Sequence, residues 1–242
     1  MSVTSTTRVL EWGNERLRVG PWRGRDDTAY LSPLAGAALP SAAFVRRSLR
    51  SLSEQGYRRV VTGALSEAEQ VAFRAVGFEV TEHLHLLGHD LHDLPAVRTP
   101  VAVLRRCTRG DRQAVLDVDC LAFDPFWQLD EWGLQETVSA TSHTRFRIAT
   151  GASDLAVLGY AITGRAGRRG YLQRLAVHPA SRRRGVGLLL VADSLAWLRR
   201  WRVERAMVNT QLANSAALAL YERVGFERER SGLSVLARDL DG

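Results

Sequence analysis

The sequence predicts an α/β fold, and three stretches carry that prediction. From Tyr171 to Val177 β-forming residues dominate, and His178-Pro179 ends the run. Arg182-Arg183-Arg184-Gly185-Val186-Gly187 follows, after which Leu188, Leu189, Val191, Ala192, Leu195, Ala196 and Leu198 recur at helical spacing. The second stretch is a strand-like run, Ala206 to Thr210, before a helix that Asn214 suits as N-cap and Gly225 as C′. The third is a repeat. Ser66 to Phe78 aligns without a gap on Asn214 to Phe226, with Phe73 opposite Tyr221 and Ser66 opposite Asn214.

The remaining elements follow in chain order. Ala42 to Gln55 reads as a helix and Arg58 to Thr62 as a strand, ahead of the Ser66–Phe78 repeat. Ala43, Leu49, Leu52, Val71, Phe73 and Val76 supply the apolar faces expected to pack together. Leu91 to Pro100 breaks all periodicity and carries two prolines, which places a boundary between a unit at 1–95 and a unit at 98–242. Val101 to Arg106 reads as a strand, and Thr108-Arg109-Gly110-Asp111 opens a helix through about Ala122. Phe123, Phe126, Trp127 and Trp132 then alternate with Asp124, Asp130 and Glu131. Arg145–Thr150 and Leu155–Thr163 form an expected hairpin leading to the strand at Tyr171, and Leu233–Leu240 closes the sheet.

Composition narrows the function. All 33 basic residues are arginine, against 26 acids, for a net charge of +7. With no lysine, lysine Schiff-base chemistry is excluded. Arginine without lysine points to the coding bias of a GC-rich bacterial genome rather than to nucleic acid, so no nucleic-acid partner is expected. No apolar run reaches membrane-spanning length and the N-terminus lacks a secretory apolar core, so a cytoplasmic protein is expected, with no membrane partner. Cys107 and Cys120 read as small core hydrophobes in a reducing compartment. His83, His85, His89 and His92, with Asp90 and Asp93, lack the cysteine or glutamate partners of a metal site; they read as structural and no metal is expected.

The arginine-glycine loop is where the chemistry concentrates. Two glycines at a helix start let backbone N–H groups approach an anion, the helix dipole adds positive potential, and three arginines add formal charge. That combination is a cradle for a pyrophosphate. It is not a Walker loop, which needs a lysine, nor a Rossmann fingerprint, since Leu188, Leu189 and Leu190 stand where a third glycine is required.

The ordered set of strand, Arg-x-x-Gly-x-Gly loop, helix, strand, Asn-x-x-Ala-x-x-Leu-Tyr helix and Gly-Phe resembles the GNAT superfamily of N-acetyltransferases. The likeness runs through about residues 101–240 and is tightest from Tyr171 to Phe226, where the chain looks most like the ribosomal-protein alanine acetyltransferases. It implies a GNAT fold, a mixed and mostly antiparallel sheet flanked by helices. The N-terminal part then reads as a partial, eroded GNAT-like unit, non-catalytic because Leu34 to Leu39 holds no basic residue. The resemblance also implies acetyl-CoA as acyl donor. The backbone of Arg183, Arg184, Gly185, Val186, Gly187 and Leu188, with the side chains of Arg182 to Arg184, would hold its phosphates. Main-chain groups of Leu175, Ala176 and Val177 would pair with the pantetheine, and Asn214 would hydrogen-bond it or cap its own helix. Tyr221, two turns after Asn214, is the implied proton donor to the leaving thiolate, or else one of the core aromatics.

The general base departs from the pattern. In the alanine acetyltransferases a glutamate stands twelve residues before the tyrosine, and here that position is Asn209. A water chain to Asp130, Glu131 or solvent, or an amine that needs little help, would take its place. At pH 7 an α-amine is about 10–15% neutral and a lysine about 0.04%, so the missing base favours a low-pKa amine. Phe126, Trp127, Asp130, Glu131 and Asn209 are the acceptor-binding candidates, either pocket or core. The activity expected is direct acetyl transfer in a ternary complex to a primary amine, a protein N-terminus or a small molecule. A tandem GNAT resembling mycothiol synthase and a non-catalytic acyl-CoA-binding regulatory module remain the alternatives. The sequence leaves the amine and the oligomeric state, monomer or homodimer, open.

Overall fold

The computed structural model describes residues 8–34, 36–97, 102–151 and 156–240. Residues 98–100 of the expected boundary stretch Leu91–Pro100, the start of a strand at Val101 and the start of another at Leu155 lie outside them. In chain order the elements are β1 (Arg8–Trp12), β2 (Glu15–Trp22), β3 (Arg25–Pro33), α1 (Ala42–Glu54), β4 (Arg59–Thr62), α2 (Glu67–Arg74) and β5 (Glu79–His89). Then come β6 (Val103–Arg106), α3 (Arg112–Ala122), α4 (Glu131–Ser139), β7 (His143–Thr150), β8 (Val157–Ala166) and β9 (Arg169–Val177). The chain ends with α5 (Val186–Arg200), β10 (Arg205–Gln211), α6 (Ser215–Arg223), β11 (Glu227–Arg228) and β12 (Leu233–Asp239). Two compact units result. One gathers residues 1–86, 211–213 and 229–242; the other gathers 87–210 and 214–228.

In the first unit β1, β2 and β3 run antiparallel, β3 pairs parallel with β4 after the α1 crossover, and β12 lies antiparallel between β4 and β5. Ser41 caps α1 by accepting the Phe44 N–H at 3.2 Å, and Ser66 with Glu69 forms a capping box on α2. Leu17, Leu31, Val45, Leu52, Phe73 and Leu236 form the core. Of the apolar faces expected to pack, Ala43 and Val71 instead face solvent, and Phe44 and Ala72 occupy the buried phase of their helices. Leu233–Asp239 is a strand as expected, but it belongs to this unit rather than closing the sheet of the other.

In the second unit β6, β7, β8 and β9 run antiparallel and β9 pairs parallel with β10. Alternate residues of β8 serve two cores, as the period of a strand requires. Tyr160 and Ile162 join Val115, Leu134 and Ile148 beneath α3 and α4, whereas Ala161 joins Leu190, Val191, Leu195, Tyr221 and Phe226 beneath α5 and α6. The three antiparallel strands, crossover helix, parallel strand and short helix of this unit (β7, β8, β9, α5, β10, α6) repeat β1, β2, β3, α1, β4, α2 of the first. Cys120, expected in the core, is exposed on α3, and Cys107 is half-buried.

Candidate functional site

Pro179 stops β9, and a tight turn follows in which Ser181 N–H donates to the His178 carbonyl at 2.8 Å and Arg182 N–H to that of Pro179 at 3.2 Å. Arg183 (φ +59°) and Gly185 (φ +83°) then adopt the left-handed region, turning successive N–H groups inward at the start of α5. From Arg183 through Leu188 no backbone N–H finds a backbone acceptor among the described residues, and Gly185 has no side chain to cap them. Arg182, Arg183 and Arg184 are exposed around this cluster of free donors. A Cβ on Gly187 would come within 3.1 Å of Leu220 Cδ2, so the residue also sits where α5 and α6 approach closely. Free amides and exposed positive charge form a site that fits a pyrophosphate.

The strand leading into this loop has one open edge. On one side Leu175, Ala176 and Val177 are in register with Ala161, Tyr160 and Gly159 of β8. On the other side β9 pairs with β10 only from Arg169 to Tyr171, after which the parallel strands part. The edge of Leu175–Val177 is therefore free to hydrogen-bond an extended chain. Tyr221 belongs to the same apolar cluster as Leu175 and Val177, packed edge-on against Phe226 at 5.6 Å. Its hydroxyl has no hydrogen-bond partner among the described residues, and burial pushes its pKa well above the usual phenol value. Asn214 caps α6 by accepting the Ala217 N–H at 3.1 Å, which leaves its amide N–H donors for other use.

The expected acceptor residues are brought partly together. Phe126 and Trp127 meet edge to face at 5.0 Å, and the Trp127 carbonyl accepts from Arg174 at 2.7 Å. Asp130 caps α4 by accepting the Gly133 N–H at 2.7 Å, and Glu131 pairs with Arg112 at 2.8 Å. Asn209 is exposed on β10. Sequence reasoning missed the most strongly built polar group here. Asp119, fully buried on α3, takes both prongs of Arg174 at 2.8 Å, the Leu129 N–H at 2.7 Å and the Tyr160 hydroxyl. Arg174 also stacks over the Phe123 ring at 3.5 Å. This network anchors the segment from Phe123 to Leu129 on β8 and β9. Its signal was present: Val115, Val118, Asp119 and Ala122 share one helical face, and a carboxylate in that row requires a partner.

The histidines do structural work where they are buried. His89 donates from Nε2 to the Val224 carbonyl at 3.0 Å and accepts the Leu91 N–H on Nδ1 at 2.8 Å, which fixes the end of α6. Among the described residues no group of three or more His, Cys, Asp or Glu is placed to hold a metal. No helix among them is long and apolar enough to cross a membrane.

A model of the acetyltransferase (GNAT) family matches residues 115–226. The chain is 28% identical over 206 residues to a mycothiol acetyltransferase of Mycobacteroides abscessus, covering 81% of this chain and 69% of that protein. It is 36% identical over 63 residues to N-alpha-acetyltransferase 30 of Xenopus laevis, a match covering 26% of this chain and only 23% of that protein. Among solved structures, a tandem GNAT protein from the clavulanic acid biosynthesis pathway superimposes with a TM-score of 0.70 at 15% identity, covering 97% of this chain and 82% of that one. A GCN5-related N-acetyltransferase from Kribbella flavida gives 0.64 at 16% identity, covering 98% and 91%. At such identities the structural likeness is one of fold.

Proposed function

We propose that this chain, which carries an acetyltransferase domain of the GNAT family, moves an acetyl group from acetyl-CoA directly onto a primary amine. The observation that carries this reading is the run of unpaired N–H groups from Arg183 through Leu188, continuous with the open edge of β9. Bound there, acetyl-CoA would supply an acetyl group activated as a thioester. The loop amides and Arg182 to Arg184 hold the phosphates, and Leu175 to Val177 hold the extended arm by main-chain pairing. Amides at the Val177 end of that edge polarise the thioester carbonyl. Tyr221 keeps its proton throughout the working pH range, because burial raises its pKa, and donates it toward sulfur as charge develops there.

Direct transfer fits the state of Cys107. Burial pushes the Cys107 thiol up to about 11, so it offers no thiolate at neutral pH to carry the acetyl group. With Asn209 in place of a carboxylate, the amine must arrive with a low pKa or lose its proton to water. A protein N-terminus or a small-molecule α-amine meets that condition better than lysine. A second reading, an acceptor of the mycothiol-precursor kind, draws support from the similarity that extends over 81% of the chain. Free-thiol release from acetyl-CoA, measured across N-terminal peptides, N-blocked lysine peptides and small amines including that precursor, tests the proposal. Release with at least one α-amine and intersecting initial-rate patterns are expected. Coenzyme binding with no release from any amine would instead establish a regulatory module.

A further inference from the structure

We propose that a cavity in the second unit, bounded by β6, the turn after it, the end of α4 and β7, binds a small organic anion: a phosphate or carboxylate head on an apolar body. The cavity holds about 220 Å³. Arg106, Arg109 and Arg112 line it together with Val138 and Phe146. It shares no lining residue with the arginine-glycine loop or the open edge of β9.

The charge balance of this cavity favours an anion. Asp111, the carboxylate of the turn, is consumed elsewhere. It takes Arg105 at 2.7 and 2.8 Å and both the N–H and hydroxyl of Thr108 at 2.7 and 2.6 Å, and these bonds hold it far below the usual carboxylate range. Glu131 and Gln135 hold the Arg112 fork at 2.8 Å each, fixing it in place. Arg106 and Arg109 have neither an acidic partner nor a side-chain hydrogen bond among the described residues. Cys107, on the same wall, stays a neutral thiol. Arg106 and Arg109 thus bring two positive charges to one cavity without a counter-charge of their own, and an anionic head bound there would offset both with charge-assisted hydrogen bonds. Val138 and Phe146 give the body of the ligand an apolar surface, which separates this site from one built for a bare ion.

Titration calorimetry on the full chain tests the proposal with phenyl phosphate, benzoate and inorganic phosphate. Saturable one-to-one binding of phenyl phosphate or benzoate is expected, and whichever binds tighter identifies the head group. Binding should be tighter than that of inorganic phosphate and should weaken about tenfold or more in Arg106→Glu and Arg109→Glu. Both side chains are exposed, so these variants keep the melting temperature of the parent. Arg183→Glu, in the other loop, should leave the affinity unchanged. No saturable heat at about millimolar probe, equal affinity of inorganic phosphate, unaltered binding in Arg109→Glu, or loss of binding in Arg183→Glu would each overturn the proposal.

Discussion

Removing the Asp119 carboxylate should cost this fold more than almost any other single polar change. Asp119 is completely buried and Arg174 keeps only 10% of its side-chain surface, so neither can turn to water when its partner is lost. In Asp119→Ala the guanidinium retains a single acceptor, the Trp127 carbonyl, while the Tyr160 hydroxyl and Leu129 N–H lose theirs. Breaking a buried pair in this way destabilises by about 3–5 kcal/mol. For a chain of this size each kcal/mol shifts the melting temperature by about 2–4 °C, so a fall of about 6–20 °C is expected by calorimetry. Two further variants grade the effect. Arg174→Met leaves Asp119 with Tyr160 and Leu129 as donors and should lose less, and Tyr160→Phe removes one bond to a charged acceptor, about 1.5–3 kcal/mol. A melting temperature for Asp119→Ala within about 2 °C of the parent, or Tyr160→Phe as damaging as Asp119→Ala, would refute the reasoning.

Tyr221→Phe should lower turnover by about 10²–10⁴ while leaving coenzyme affinity and melting temperature unchanged, since the hydroxyl has no protein partner to lose; equal turnover, from the same rate and calorimetric assays, would remove it from the mechanism. The pH profile of kcat should rise as the amine loses its proton and show no alkaline fall from Tyr221 below about pH 10, because burial shifts that phenol upward from its ordinary value. An alkaline limb near pH 8–9 that disappears in Tyr221→Phe would contradict this. A fragment beginning at residue 98 should show no cooperative melting, because it lacks β4 and β5, the partners of β12, and lacks Leu87, His89 and Leu91 around the end of α6. A folded 98–242 fragment would contradict the division of strands between the units.

The elements around the arginine-glycine loop were legible because each carries local chemistry. Gly185 and Asn214 start α5 and α6 where the sequence places them, and Gly225 ends α6 with a φ of +95°. α1 runs from Ala42 to Glu54 against an expected Ala42 to Gln55, a difference of end fraying. β1, β2 and β3 were missed, although Trp12-Gly13-Asn14-Glu15 and Trp22-Arg23-Gly24-Arg25 are two-residue hairpin turns, because arginines interrupt the apolar alternation of those strands. The strand character of Leu233–Asp239 was readable and its sheet was not, since its partners lie more than 140 residues earlier in the chain. The same limit hid the Asp119–Arg174–Tyr160 network. Sequence spacing reveals a face and a cap; it does not reveal which distant groups meet in a core.

The account rests on the loop before α5 as the grip on the coenzyme, and binding of acetyl-CoA by titration calorimetry tests it most directly. The parent should bind one equivalent in the range of about micromolar Kd. Gly187→Asp places a carboxylate among the free amides of Arg183 through Leu188 and a Cβ 3.1 Å from Leu220, a side chain able to move by the few tenths of an ångström required. An acid in the first turn favours the helix itself, so the variant should fold, yet its charge opposes a pyrophosphate and affinity should fall by about a hundredfold or more, about 2.8 kcal/mol. Equal affinity in a variant with the parent's melting temperature would contradict the central claim.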